Sequence, residues 1–141
     1  MRKPSPITKA EFETLAAFRY ALRQFLRFSE EAAHRAGLTP QHHQALLAIK
    51  GFPRRSRITL AELAERLQLR HHSAVGLANR LVAAGLVART RDTKDRRRVY
   101  LTLTRHGEAV LHRLSAAHRE QLCRVSPHLL GLLKRLRGKL G

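Results

Sequence analysis

Apolar residues recur along most of this chain at intervals of three and four, and one stretch alternates instead. Across residues 9–36, Leu15, Phe18, Leu22 and Phe25 sit alternately three and four apart, the seam of a helix packed on another helix. Phe12, Leu26 and Phe28 fall off that seam, so this helix is apolar on more than one side, whereas a surface helix in a monomer needs one apolar face. Gly37 predicts its end. Thr39-Pro40 predicts a second helix, with Thr as N-cap and Pro at the first helical position. That helix carries Ala45, Leu46, Leu47 and Ile49 and closes near Gly51 and Pro53, before a short basic loop.

Two short amphipathic helices follow. Thr59-Leu60-Ala61-Glu62 has the form of a capping box, in which hydroxyl and carboxylate satisfy each other's orphan amides. Leu60, Leu63, Ala64 and Leu67 then repeat at helical spacing, and after Gln68-Leu69-Arg70 the same spacing returns in Ala74, Leu77, Ala78 and Leu81. A helix-turn-helix reads this way, and so does an ordinary helical hairpin. What comes next favours the former. Ala83-Ala84-Gly85 ends the second helix, Leu86 to Thr90 reads as a strand, and residues 91–97 are wholly polar and predict a loop. Val99, Leu101 and Leu103 alternate with Arg98, Tyr100 and Thr102, a strand with one buried face. A helix-turn-helix running into a charged hairpin is a winged helix. Thr104 predicts a helix over about residues 104–124 with Val110, Leu111, Leu114, Ala117 and Leu122, and Ser126-Pro127 predicts a last one with Leu129, Leu132, Leu133, Leu136 and Leu140. The expected fold class is mainly α (α+β), a winged helix-turn-helix over 37–103 with helices at 9–36 and 104–140, in one domain spanning 1–141.

Charge narrows the function. The 141 residues hold 28 Lys and Arg against 10 Asp and Glu, for a net charge of +18. Half of that excess lies in residues 50–100, which hold 13 basic and 4 acidic side chains. Chains this basic bind polyanions, and nucleic acid leads the candidates. One cysteine, Cys123, excludes an internal disulfide framework and fits a reducing cytoplasm. Neither a membrane-spanning run nor a signal-peptide core is present in this sequence.

With Gly37-Leu38-Thr39-Pro40-Gln41, Thr59-Leu60-Ala61-Glu62-Leu63-Ala64, Gly85-Leu86-Val87 with Arg89, Asp95-Arg96-Arg97 and Leu103-Thr104-x-x-Gly107 in this order, the chain resembles the MarR family of winged-helix transcription regulators. The resemblance implies a homodimer built from the N- and C-terminal helices, recognition helices in paired major grooves, and wings in the flanking minor grooves. It also implies that Asp95 orients Arg97 for the minor groove. Two positions depart from the pattern: Arg70 stands where relatives carry a capping Ser or Thr, and Arg105-His106 follows Leu103-Thr104 where relatives often have Glu.

Geometry then assigns residues. If Ala74, Leu77, Ala78 and Leu81 face the core, His72, Val75, Gly76 and Asn79 turn outward, flanked by Arg70, His71, Ser73 and Arg80. Asn suits adenine, His donates to guanine acceptors, and Val meets a thymine methyl. Gly76 reads either as a site of close backbone approach to DNA or as a tolerated glycine. The wing supplies Lys94, Asp95, Arg96, Arg97 and Arg98. Arg54, Arg55 and Arg57 divide between phosphate contact and solvated loop. The surplus apolar surface at both ends assigns Leu15, Phe18, Leu22, Leu129, Leu132, Leu133 and Leu136 to a dimer interface.

The expected function is a sequence-specific double-stranded DNA-binding regulator, a repressor on a palindromic operator, cytoplasmic and nucleoid-associated, with a small-molecule effector as a further candidate partner. The alternative is a weakly specific architectural DNA-binding protein. An enzyme is not expected: both Asp residues lie in the wing, and no nucleophile motif occurs. No cofactor or metal is expected either, since the nine His show no His-Glu-x-x-His spacing and His106, His112 and His118 fall on different helical faces; convergence of His34, His42, His43 and His112 near the family's effector cleft would be the exception. Cys123 reads as a small buried hydrophobe, and the reactive first-helix Cys of the family's peroxide sensors has no counterpart. The basic segment Lys134 to Lys139 lying on an anionic membrane is a minor reading, because its leucines are better used in the dimer.

Overall fold

The computed structural model describes residues 3–138, which divide into two compact units, residues 32–115 and residues 3–31 with 116–138. The elements in chain order are α1 (Lys9–Arg35), α2 (Pro40–Lys50), β1 (Arg57–Thr59), α3 (Leu60–Leu67), α4 (His71–Ala83), β2 (Val87–Arg91), β3 (Val99–Leu103) and α5 (Arg105–Arg137). Both α1 and α5 contribute to each unit. Leu140 and the end of the expected 104–140 segment lie outside the described residues.

In the unit of residues 32–115, local chemistry sets the helix ends. Gly37 takes φ +77° and stops α1, a backbone conformation that costs side chains with a Cβ about 1–2 kcal/mol. Thr39 caps α2 by accepting from His42 N at 3.1 Å, with Pro40 in the first turn. The capping box of α3 is complete: Thr59 Oγ1 accepts from Glu62 N at 3.2 Å, and Glu62 Oε1 accepts from Thr59 N at 3.0 Å. Leu46, Ile49, Ile58, Leu63, Leu77, Leu81 and Leu101 form the core, each at most 1% exposed.

The sheet is antiparallel in the order β1-β3-β2, with Ile58 opposite Leu101 and Arg89 opposite Leu101 on the other side. Two expectations change here. Residues 57–59 lie at the end of the expected loop and capping box, yet they form β1, because β3 offers a free edge for them to pair with. Tyr100 is expected on the solvent face of its strand but is buried, at 4% exposure, because Arg57 stacks over its ring at 4.0 Å and Arg55 at 5.6 Å.

The unit of residues 3–31 and 116–138 packs around a histidine. His118 is buried, with Nε2 hydrogen-bonded to Ser29 Oγ at 2.8 Å and the rings of Phe25 and Phe28 edge-on to it. The inner face of α5 therefore runs through His118 and Leu132, not through Ala117 and Leu122, which are exposed. Cys123, expected buried, is exposed because it lies off that face. The expected break at Ser126-Pro127 is absent and α5 runs through Pro127. Proline has no N–H to offer the carbonyl four residues back, that of Cys123; the Ser126 hydroxyl donates to this carbonyl at 3.2 Å instead.

This unit also leaves much apolar surface uncovered: Phe12, Leu15, Tyr20, Leu22, Leu26, Leu122, Leu130 and Leu133 are all exposed. Of the residues assigned to an interface, Leu15, Leu22 and Leu133 lie on this free surface, and Phe18, Leu129 and Leu136 are half-buried. Leu132 is a correction, since it is 1% exposed within its own chain and has no face left to offer.

Candidate nucleic-acid interface

Helix α4 separates its faces cleanly. Ala74, Leu77, Ala78 and Leu81 are buried, which leaves His71, His72, Asn79 and Arg80 exposed and Ser73, Val75 and Gly76 half-buried on the outer side. Arg70 is exposed at the N-cap and makes no side-chain capping bond, so the first amides of α4 have no side-chain acceptor from their own cap. Such a helix start favours an anion.

Two contacts shape the outer face, and neither is legible in helical periodicity. A Cβ built on Gly76 would lie 3.3 Å from Arg80 Nη1, so the glycine leaves room for the arginine to fold back over the helix. Because only the flexible end of Arg80 stands in the way, Gly76→Ala should raise stability by up to about 1 kcal/mol, the helix-propensity difference, measured as a higher midpoint in thermal or urea unfolding. A lower midpoint would mean that Arg80 cannot yield. The second contact joins α4 to β2: Arg89 Nη2 donates to Asn79 Oδ1. Arg89 stands in the Gly85-Leu86-Val87-x-Arg89 motif, the one sequence signal that marked it.

His42 on α2 is held below the ordinary histidine range, first by burial and then by the positive charge of Arg80. It is therefore neutral at neutral pH.

The wing is a closed polar hairpin. Asp92 N donates to Arg98 O and Arg98 N to Asp95 O, both at 3.0 Å. Asp95 Oδ1 accepts from Arg97 N at 3.0 Å and lies 3.6 Å from Arg97 Nε. The carboxylate thus holds both ends of Arg97 while the guanidinium stays in solvent, at 95% side-chain exposure. Lys94 and Arg96 are also exposed, and Arg91 Nη1 donates to Arg96 O at 3.5 Å. Arg98 differs: a hydrogen bond to the Tyr100 phenol, with Asp95 and Asp92 nearby, raises its pKa above the ordinary value.

The three arginines before α3 do not form a set. Arg54 is exposed in a left-handed turn with φ 66°. Arg55 is half-buried, ion-paired with Glu62 and stacked on Phe52 at 4.3 Å, which makes it a structural clamp and corrects its assignment to phosphate contact or solvated loop. Burial pushes Glu62 up, but its two bonds with Thr59 and the Arg55 charge outweigh that and keep it below the usual range, ionised for both partners. Arg57 is exposed over Tyr100, and Arg66 covers the Phe52 ring at 4.9 Å. Among the described residues no three His, Cys, Asp or Glu side chains are grouped to hold a metal ion, and no helix is long and apolar enough to cross a membrane.

A model of the MarR family matches residues 36–98, the stretch from the end of α1 to the wing. The HTH-type transcriptional repressor MdtR of Bacillus subtilis (strain 168) is 30% identical over 94 residues, which take in 67% of this chain and 59% of that relative's length. The chain belongs to the MarR family. Its fold is that of MarR-type winged-helix structures. A MepR variant from S. aureus, bound to an oligodeoxyribonucleotide, superposes with a TM-score of 0.69 at 16% identity, covering 96% of this chain and 100% of that one. NadR in complex with 4-hydroxyphenylacetate gives 0.65 at 25% identity, covering 99% and 97%.

Proposed function

We propose that this MarR-family chain is a sequence-specific double-stranded DNA-binding transcription regulator, a cytoplasmic homodimeric repressor acting on a palindromic operator at the nucleoid. The observation that carries the reading is the exposed outer face of α4, lined by His71, His72, Asn79 and Arg80 and followed by a wing of exposed cations. In this reading His72, Val75 and Asn79 meet base edges in the major groove, with Ser73 and Gly76 close to them, while Arg70, His71 and Arg80 meet phosphates. Arg97, held by Asp95, enters the minor groove, whose negative potential favours a pre-ordered guanidinium, and Lys94, Arg96 and Arg54 add non-specific attraction. Two protomers joined through the exposed leucines of the terminal helices present two α4 helices roughly 34–36 Å apart, one turn of B-DNA. Repression is supported by the name of the MdtR relative, and release by a small-molecule effector by the ligand in the NadR complex. The reading contains no catalytic step.

The net charge of +18 gives one specific reason to keep a second reading, a DNA-coating protein of low specificity. Selection of bound duplexes from random DNA, with a salt titration, decides between them. A regulator enriches one short two-fold site and protects it at salt that abolishes non-specific binding. Enrichment of no site leaves the coating protein. In the same assay Arg97→Ala should weaken all duplexes, leave the base preferences in place, and lower the slope of log affinity against log salt by about one unit. Parent-like binding by Arg97→Ala would remove the wing from the interface.

A further inference from the structure

Asn79 and Arg89 are both exposed, ten residues apart in sequence, and joined by one hydrogen bond from the guanidinium to the amide oxygen. Arg89 stands in the middle of β2, where its main chain pairs with β3 opposite Leu101, so the strand does not depend on its side chain. Among the described residues no carboxylate pairs with it. An arginine left without an acid partner, whose bond goes instead to the amide of a residue on the outer face of α4, bears on what that amide can present.

We propose that Arg89 is a specificity-determining positioning residue that sets the orientation of the Asn79 amide, so that this position of the operator is read as guanine. The inference rests on the DNA-binding reading above. A free asparagine amide can turn either way, offering its oxygen as acceptor or its nitrogen as a double donor. An arginine has only donors, so it accepts one of these orientations: Oδ1 toward Arg89 and the Nδ2 donors turned away from it. The usual pairing of asparagine with adenine needs Oδ1 to receive the adenine N6 amino group while Nδ2 donates to N7. Here Oδ1 already receives a charged donor, and a fixed positive charge stands beside the place an incoming amino group would occupy. Guanine offers acceptors at both N7 and O6, which suit the Nδ2 donors and the guanidinium charge together.

The test is selection from random duplexes with the full-length parent, Asn79→Ala, Asn79→Asp, Arg89→Met and Arg89→Lys, with thermal unfolding of each. The position that Asn79→Ala flattens should be guanine in the parent site, favoured about tenfold, the scale of one good base contact. Asn79→Asp, which keeps an oxygen for Arg89 and loses the donors, should lose that preference. Arg89→Met should reduce it to within about twofold or shift it to adenine at that position alone, and Arg89→Lys should restore part of it. An Asn79-dependent adenine in the parent overturns the inference, whether or not the Arg89 variants fold. So does an Arg89→Met protein that binds every duplex equally more weakly with its base profile unchanged, as loss of a phosphate contact would produce. In both cases the regulator reading stands. A parent that enriches no sequence takes that reading away, and this inference with it.

Discussion

Gly107→Ala should cost about 3 kcal/mol or more and lower the thermal midpoint by roughly 10 °C, the largest loss of stability expected from adding one methyl group to this chain. A Cβ at this position would lie 2.1 Å from the Leu86 carbonyl oxygen and 3.1 Å from its carbon. Those are backbone atoms, and they are held on every side. Leu86 is 2% exposed, its N–H donates to Leu81 O at 3.1 Å, and its oxygen accepts from Thr104 N at 3.1 Å. The Thr104 hydroxyl donates to Gly85 O at 2.6 Å and accepts from Gly107 N at 3.1 Å. The start of α5 is thereby docked onto the turn that ends α4, and a methyl group can fit only if the two backbones separate and these bonds break. Gly131→Ala on the same helix is the control: a Cβ there meets nothing within 4 Å, so the change should be neutral or stabilising by up to about 1 kcal/mol. A Gly107→Ala midpoint within a degree or two of the parent would mean that the two backbones separate at little cost, and would refute the tight docking of α5 on this turn.

Leu130→Asp combined with Leu133→Asp should convert the proposed dimer to monomer or aggregate and reduce operator affinity by at least about a hundredfold, because a single half-site retains little of the specific binding. Both leucines are about half exposed in the isolated chain, at 54% and 47%, and lie on a unit whose Phe12, Leu15, Leu22 and Leu26 are exposed as well. Burying such a side chain is worth about 1.5–3 kcal/mol, and an aspartate in its place must lose water without gaining a partner. Since neither leucine fills its own chain's interior, the double variant should keep its helix content, and this separates loss of assembly from loss of fold. Leu132→Asp would not make that distinction, because Leu132 is buried within the chain. Sedimentation of the parent as a stable monomer at micromolar concentration would refute the dimer.

Local chemistry in the sequence determined the helix boundaries at Gly37, Thr39 and Thr59 and the buried stripe of α4, while the Asp95–Arg97 pairing in the wing was implied by the family resemblance. The boundaries and the stripe each depend on groups within a few residues of one another, so spacing alone carries the information. The family, too, was legible, because many of its motifs are the caps and turns that such local rules require. Tertiary structure decided the rest. The three residues of β1 are too few to show a period and form a strand only because β3 has a free edge. Tyr100 alternates as an outward residue, and arginines from a neighbouring segment cover it. Ser126-Pro127 is the exception, a local ambiguity: the Ser126 hydroxyl can cap a new helix or bond Cys123 O three residues back, and it does the latter. Arg55 became a clamp, His118 a core residue and Arg89 the partner of Asn79 for one shared reason. Each takes its role from a partner on another element, seven, 89 and ten residues away, and the pattern around any one of them contains no trace of that partner.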